Sequence, residues 1–207
     1  TLVQQDVLRN KNNFSDHVIA TLQEKMKEAG QRDFKLVANL PYSVATPIIS
    51  NFLDCVVTPS SMTVTIQKEL GERIVADPRT KDYGSLSVWV QSQCYAAIIR
   101  ELAPTVFWPR PKVHSAIVQM VLDRQRRDSI LNLSGFHQFV RGIFLHRRKF
   151  LRSSLISSQK QLSKPDVDGV MQQLGLGPES RAEELTVDQM LALWHTVDSV
   201  KNPEESA

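Results

Sequence analysis

The spacing of apolar positions changes along the chain, and the change predicts its elements. Residues 1–8, "TLVQQDVL", read as the tail of a strand. Phe14, Val18, Leu22 and Met26 then recur at steps of four, an amphipathic helix that Gly30 is placed to end. A short apolar run at Phe34 to Ala38 predicts a strand. Thr46 and Pro47 suit the cap and first turn of a helix through "PIISNFLD". Met62, Val64 and Ile66 alternate as in a half-buried strand, and Ser85 can cap a helix running to Gln93. "YAAIIREL" and the alternating Ala116, Val118, Met120 and Leu122 predict two further strands.

Past Arg124 only the helical period remains. Phe136, Phe139, Val140, Ile143 and Phe144 form one stripe, and Val167, Val170, Met171 and Leu174 form another before Gly175. Thr186 with Gln189 is a capping box ahead of Met190, Leu193, Trp194 and Val197. The terminal "KNPEESA" is expected to fray. Strand and helix in alternation up to about residue 95 indicate an α/β sheet with helical crossovers, followed by a small all-α part. The expected division is 1–123 and 124–207.

Composition narrows the function. The 207 residues are 42% hydrophobic and 23% charged, a balance suited to a folded core. No stretch reaches the roughly 18 uninterrupted apolar residues of a membrane span, and the first residues lack a signal-peptide pattern, so a cytoplasmic location without membrane attachment is expected. Cys55 and Cys94 are isolated and read as core thiols. None of the five histidines has the i, i+4 spacing that puts two ligands on one helix face, so no metal is expected. No glycine-rich phosphate loop or nucleophile elbow occurs. The net charge of +3 is mild, but the positive residues gather after residue 123.

The strand at Phe34 to Ala38 runs into "NLPY", Asn39 to Tyr42, and in an open α/β sheet ligands bind beyond the carboxyl ends of strands. The Asn39 side-chain oxygen and the Leu40 carbonyl, stiffened by Pro41, can accept two hydrogens from one amino group. Tyr42 can stack on the flat ring that carries it. This suits a nucleobase with an exocyclic amine, adenine or cytosine. Accepting both N–H bonds in a pyramidal geometry exposes the nitrogen lone pair to an electrophile, so no strong base is required. In "TVFWPRPKVHSAIV", Pro109 and Pro111 enforce an extended approach to the last strand and leave Phe107 and Trp108 on a stiff loop. One of those rings can close the other face of the base pocket. Simple cover for a sheet edge is the alternative.

"NLPY", "FWPRPKV", "FLHRRKFLRSSL" and "RAEEL" occur in the order in which similar motifs occur in the ribosomal RNA adenine N6,N6-dimethyltransferases, and the sequence resembles that family over nearly its whole length. The last two motifs resemble the ribosome-biogenesis members more than the antibiotic-resistance relatives, which commonly read NIPY. The resemblance implies a Rossmann-like class I S-adenosylmethionine-dependent methyltransferase domain followed by a helical RNA-binding domain. It also implies dimethylation of two adjacent adenosines near the 3′ end of small-subunit ribosomal RNA, with S-adenosyl-L-methionine as methyl donor. By the same resemblance Asn39, Leu40 and Pro41 position the amine, Tyr42 and Phe107 stack on a flipped adenine, and Asp6 and Asn39 contact the donor. The expected partner is small-subunit ribosomal RNA or an assembling small subunit.

Family members carry a glycine-rich turn and an acidic residue that would precede Asp6. The sequence is therefore expected to be an incomplete, N-terminally truncated chain that transfers no methyl group alone. Its Leu36 to Ala38 strand would have an unpaired edge, with rearrangement of the first residues or self-association through that edge as the result. A helical wheel continued from Phe136 groups Arg141, Arg148 and Arg152, with Lys149 in the same segment, as an RNA-binding ridge opposite the apolar stripe. Arg124, Arg126 and Arg127 add to the charge. The wheel puts Arg147 on the apolar side, where Glu183 of "RAEEL" is its expected partner. The second reading is a non-catalytic RNA-binding assembly factor, or a mitochondrial-type transcription factor of the same fold.

Overall fold

The computed structural model describes residues 1–30, 33–147 and 149–202. The chain divides into two compact units, Thr1–Val75 with Gln93–Arg124 and Ala76–Ser92 with Gln125–Ala207.

The first unit is built on a four-stranded sheet. Its strands are β3 (Lys35–Asn39), β4 (Ser61–Gln67), β5 (Cys94–Leu102) and β6 (Ser115–Leu122), in the order β3-β4-β6-β5. β3 and β4 are parallel, Leu36 beside Met62 and Ala38 beside Val64, while β6 runs antiparallel to both of its neighbours. Parallel strands need a crossover, and α2 (Ala45–Asp54) supplies it. Its Ile48, Ile49, Phe52 and Leu53 are buried at helical spacing. The helix starts at Ala45, with Val44 as the cap residue, so Thr46 and Pro47 lie in its first turn and Thr46 does not cap it.

Met62, Val64 and Ile66 on β4, with Ala116, Val118 and Met120 on β6, form the buried face of the sheet. Against it lies α3 (Lys68–Val75), which the apolar period did not reveal. Gly71 permits that approach: a Cβ at this position would sit 3.0 Å from the Val118 side chain and 3.6 Å from Ala116 Cβ. The sheet's other side carries Val37, Tyr95 and Val121 in exposed positions.

The amino-terminal residues depart from expectation. Thr1 to Gln5 form no strand; the first pairing is a short antiparallel hairpin of β1 (Leu8–Asn10) and β2 (Asn13–Phe14). Two local bonds turn the chain there, from Leu8 N–H to Asp6 Oδ1 at 2.9 Å and from Asn12 N–H to Asn10 Oδ1 at 2.9 Å. Phe14 thus belongs to the hairpin, its ring 4.3 Å from that of Phe52 and tilted by 44° to it, and not to the helix. α1 (Asp16–Glu28) begins after Ser15 and ends before Gly30, whose φ of 70° is the left-handed geometry of a helix stop. β3 pairs with β4 alone, so its other edge is open among the described residues.

The second unit is helical: α4 (Ser85–Gln91), α5 (Arg124–Asp128) from Gln125 onward, α6 (Leu133–Phe144), α7 (Leu151–Ser158), α8 (Lys164–Gln173) and α9 (Val187–Lys201). Ala76–Ser92 groups here and not with the sheet, which differs from a single break after residue 123. Its aromatic rings explain the difference. Tyr83 lies 6.2 Å from Phe144, and Trp89 stacks 4.1 Å from His137 and lies tilted 6.3 Å from Phe136. The Thr186 and Gln189 capping box forms as expected, with bonds of 2.9 and 3.2 Å. Gly175, at φ 64°, ends α8. The "KNPEESA" tail lies outside the described residues from Pro203 onward.

Candidate active site

β3 ends at Asn39, and the Leu40 N–H still reaches the Thr65 carbonyl at 3.1 Å, so pairing with β4 continues one residue past the strand. Pro41 then fixes φ and its carbonyl accepts the Val44 N–H at 3.1 Å, closing the turn into α2. The Leu40 side chain is buried, which anchors the turn, while the Asn39 side chain is exposed. The Asn39 side chain has no hydrogen-bond partner among the described residues, and neither does the Leu40 carbonyl. Two acceptors are therefore left unused at one sheet edge.

The Tyr42 ring is half-buried and held by its hydroxyl, which shares a 2.6 Å hydrogen bond with Ser115 Oγ. Ser115 is fully buried at the start of β6. Nothing in "KVHSAIV" marks that serine as part of a site, because its role appears only when β6 is placed beside β4. Phe107 follows the short 3-10 turn Pro104–Val106, and its N–H bonds to the Pro104 carbonyl at 3.3 Å. A cleft of about 340 Å³ opens between the two segments, lined by Asn39 to Tyr42 on one side and by Phe107, Trp108, Pro109 and Pro111 on the other. All five residues assigned to base positioning, Asn39, Leu40, Pro41, Tyr42 and Phe107, meet in this cleft.

Asp6 does not line it. Its carboxylate is exposed and takes the Leu8 N–H. Cys94 is buried as expected, whereas Cys55 is only half-buried. No three His, Cys, Asp or Glu side chains among the described residues come together in a way that could hold a metal ion. No helix among them is long and apolar enough to cross a membrane.

The basic residues of the second unit are arranged differently from the single ridge expected. α6 stops at Phe144 and α7 starts at Leu151, so Arg141 and Arg152 lie on separate helices and the continued wheel does not hold. Arg152 is engaged by both carboxylate oxygens of Asp168, at 2.5 and 2.8 Å, a bidentate pair that holds the Asp168 carboxyl below its ordinary range. Arg126 pairs with Asp188, and in the first unit Arg124 pairs with Asp33 at 2.7 Å. Arg141 and Lys149 are exposed, and their side chains have no ion-pair partner among the described residues. Arg148 lies outside the described residues. Arg147 does meet Glu183, with Nε 2.5 Å from Oε2, and its terminal nitrogens donate to the carbonyls of Lys81 and Thr80.

A sheet of this order, with a parallel pair joined by a helical crossover, is a Rossmann-like α/β unit, and the chain adds a helical unit to it. Comparison with known proteins agrees and is more specific. Residues 1–198 match the family described as ribosomal RNA adenine dimethylase. The chain is 41% identical over 167 residues to a ribosomal RNA small subunit methyltransferase A of Halothermothrix orenii, covering 80% of this chain and 56% of that one. It is 38% identical over 191 residues to the protein of that name from Clostridium botulinum, covering 90% and 68%. Among solved structures, a dimethyladenosine transferase from Plasmodium falciparum superposes with a TM-score of 0.69 at 19% identity, covering 93% of this chain and 80% of that one. The 23S rRNA methyltransferase ErmE superposes with a TM-score of 0.57 at 20% identity, covering 89% and 79%. The chain belongs to the ribosomal RNA adenine dimethylase family. It spans little more than half the length of the Halothermothrix relative, 56%.

Proposed function

We propose that the protein dimethylates N6 of two adjacent adenosines near the 3′ end of small-subunit ribosomal RNA. The observation that carries this reading is the single cleft in which Asn39 to Tyr42 face Phe107. An adenine extruded from its stack enters between the Tyr42 and Phe107 rings, and stacking of roughly 1–3 kcal/mol per base offsets the few kcal/mol that unstacking costs. Asn39 Oδ1 and the Leu40 carbonyl accept the two N6 hydrogens, which turns the amine lone pair out of conjugation with the ring. The Ser115 bond to the Tyr42 hydroxyl keeps that ring from swinging away. S-adenosylmethionine, the donor that the resemblance implies, supplies an electrophilic methyl group on a sulfonium. Asn39, exposed and free to accept, suits a ligand carrying an amine. On this reading Asp6 also contacts the donor, by way of the donor's adenine amine.

The proton lost from N6 on each transfer leaves to water, so no strong base is needed. The partner is small-subunit ribosomal RNA or an assembling small subunit, met in part by Arg141, Lys149 and Arg148 of the helical unit. The free edge of β3 also suits pairing with a second copy, which light scattering tests.

The decisive assay incubates the full-length protein that carries this sequence with S-adenosylmethionine and small-subunit RNA and measures N6,N6-dimethyladenosine in nuclease digests. Dimethyladenosine that appears with the native sequence and disappears when Asn39 and Tyr42 are both alanine is the expected result. An undiminished yield from that double variant would sink the mechanism. Binding of RNA with no transfer at all would favour the assembly-factor reading.

A further inference from the structure

The methylation chemistry uses Phe107 and leaves its neighbour unexplained. Trp108 is 97% exposed, while the other two tryptophans, Trp89 and Trp194, are 1% and 3% exposed. A lone exposed apolar side chain is ordinary. This one lines the cleft that holds Asn39 to Tyr42, on a segment stiffened by Pro109 and Pro111. Holding a large ring in water on a rigid loop leaves it little entropy to lose when a flat ligand covers it.

The charge around it is one-sided. Arg110 and Lys112 alternate with the two prolines, are exposed, and have no ion-pair partner among the described residues. No acidic residue occurs between Glu101 and Asp123. Nearby Lys68 is already taken by Glu101 at 2.8 Å and by Glu72 at 3.7 Å, whereas these two cations are left open. An exposed aromatic followed by alternating cations is how proteins hold single-stranded nucleic acid: the ring stacks on a base and the cations track the phosphates.

We infer that Trp108, with Arg110 and Lys112, forms a second nucleotide subsite that stacks the base next to the one held between Tyr42 and Phe107 and grips the phosphates beside it. This rests on the RNA reading above and extends it. With the target base turned out, its neighbour loses one stacking partner, and the Trp108 ring replaces it. The subsite would make single-stranded or opened RNA a better ligand than closed duplex.

The tryptophan distribution supplies the test, because only Trp108 is open to a soluble quencher. The probe is an end-labelled single-stranded RNA nonamer with two adjacent central adenosines, titrated into the native chain and into Trp108→Leu, Trp108→Tyr and the Arg110→Ala/Lys112→Ala double variant. Label anisotropy reports binding, and tryptophan emission with acrylamide reports cover over Trp108. RNA should quench the native emission and protect it from acrylamide. Trp108→Leu should weaken binding by between about fivefold and a hundredfold, Trp108→Tyr should recover most of the loss, and the double variant should flatten the dependence on salt. RNA that binds native chain and Trp108→Leu equally, with acrylamide access unchanged, overturns the subsite and leaves the RNA reading standing. No anisotropy change with the native chain removes both.

Discussion

Replacing Arg147 by alanine should destabilise the helical unit without acting on RNA directly. One guanidinium there joins three segments: the end of α6, the carbonyls of Thr80 and Lys81, and Glu183 in the 3-10 turn Ala182–Glu184. The side chains of Arg147 and Glu183 are 37% and 26% exposed, so the ion pair is partly screened and contributes about 1 kcal/mol. Each bond from the charged donor to a carbonyl adds about 1 kcal/mol, at the low end because water can reach the carbonyls once the arginine is gone. The expected loss is thus about 2–4 kcal/mol, or a fall of at least about 5 °C in Tm for a chain of this size. Arg147→Lys should recover less than half, since an ammonium cannot reproduce the planar fork. Circular dichroism melts of the single variants, of Glu183→Gln and of the double variant give the coupling, expected near 1 kcal/mol. A Tm within 1 °C of native together with weakened RNA binding would refute this assignment and move Arg147 to the RNA surface.

Three further outcomes follow from the geometry. Tyr42→Phe keeps the stacking ring but loses the 2.6 Å bond to Ser115, so methyl transfer should fall by about tenfold or less, whereas Tyr42→Ala should lower it by about a further fivefold to hundredfold; equal rates for the two would remove the stacking role. Replacing Arg141 and Lys149 should reduce the slope of log affinity against log salt by about 0.7–0.9 per residue, while Arg152→Ala, whose charge is spent on Asp168, should leave the slope unchanged; salt titrations of RNA binding decide. Hydrogen bonds from Ser163 and the contact with Arg152 lower the pKa values of Asp166 and Asp168 from the ordinary 3.8, so their stabilisation is complete above that value and is lost as pH falls below it. Asp166→Asn with Asp168→Asn should therefore flatten the acid limb of a Tm against pH profile, and an unchanged limb would contradict it.

The sequence was most informative where one local pattern carried the outcome. Alternation at Met62, Val64 and Ile66 located β4, and the tyrosine at the exit of β3 drew attention to the four residues that line the cleft with Phe107. The pairing of Arg147 with Glu183 was legible because an arginine on an apolar stripe requires an acid. Elements set by distant contacts were not legible. The stretch between α6 and α7 contains neither glycine nor proline, so the wheel ran on to Arg152. In the structure α6 ends at Phe144, Arg147 is drawn to the 80–81 carbonyls, and α7 starts at Leu151, whose N–H bonds to the Ser180 carbonyl at 2.7 Å. α3 was hidden by Gly71, a poor helix former needed for its approach to Val118. Ser115 had no local signature at all.

The path of the polypeptide crosses between the two units three times, after Val75, Ser92 and Arg124. During synthesis, Tyr83 and Trp89 leave the ribosome well before the Phe144 and Phe136 rings they pack against exist, and β4 waits for β6 to flank it. Neither core can close on a growing chain until a later stretch has been made, which delays folding and prolongs the exposure of sticky surface. A protease cut between residues 124 and 125 would likewise release no self-sufficient helical piece, because two of its buried rings would stay with the other fragment.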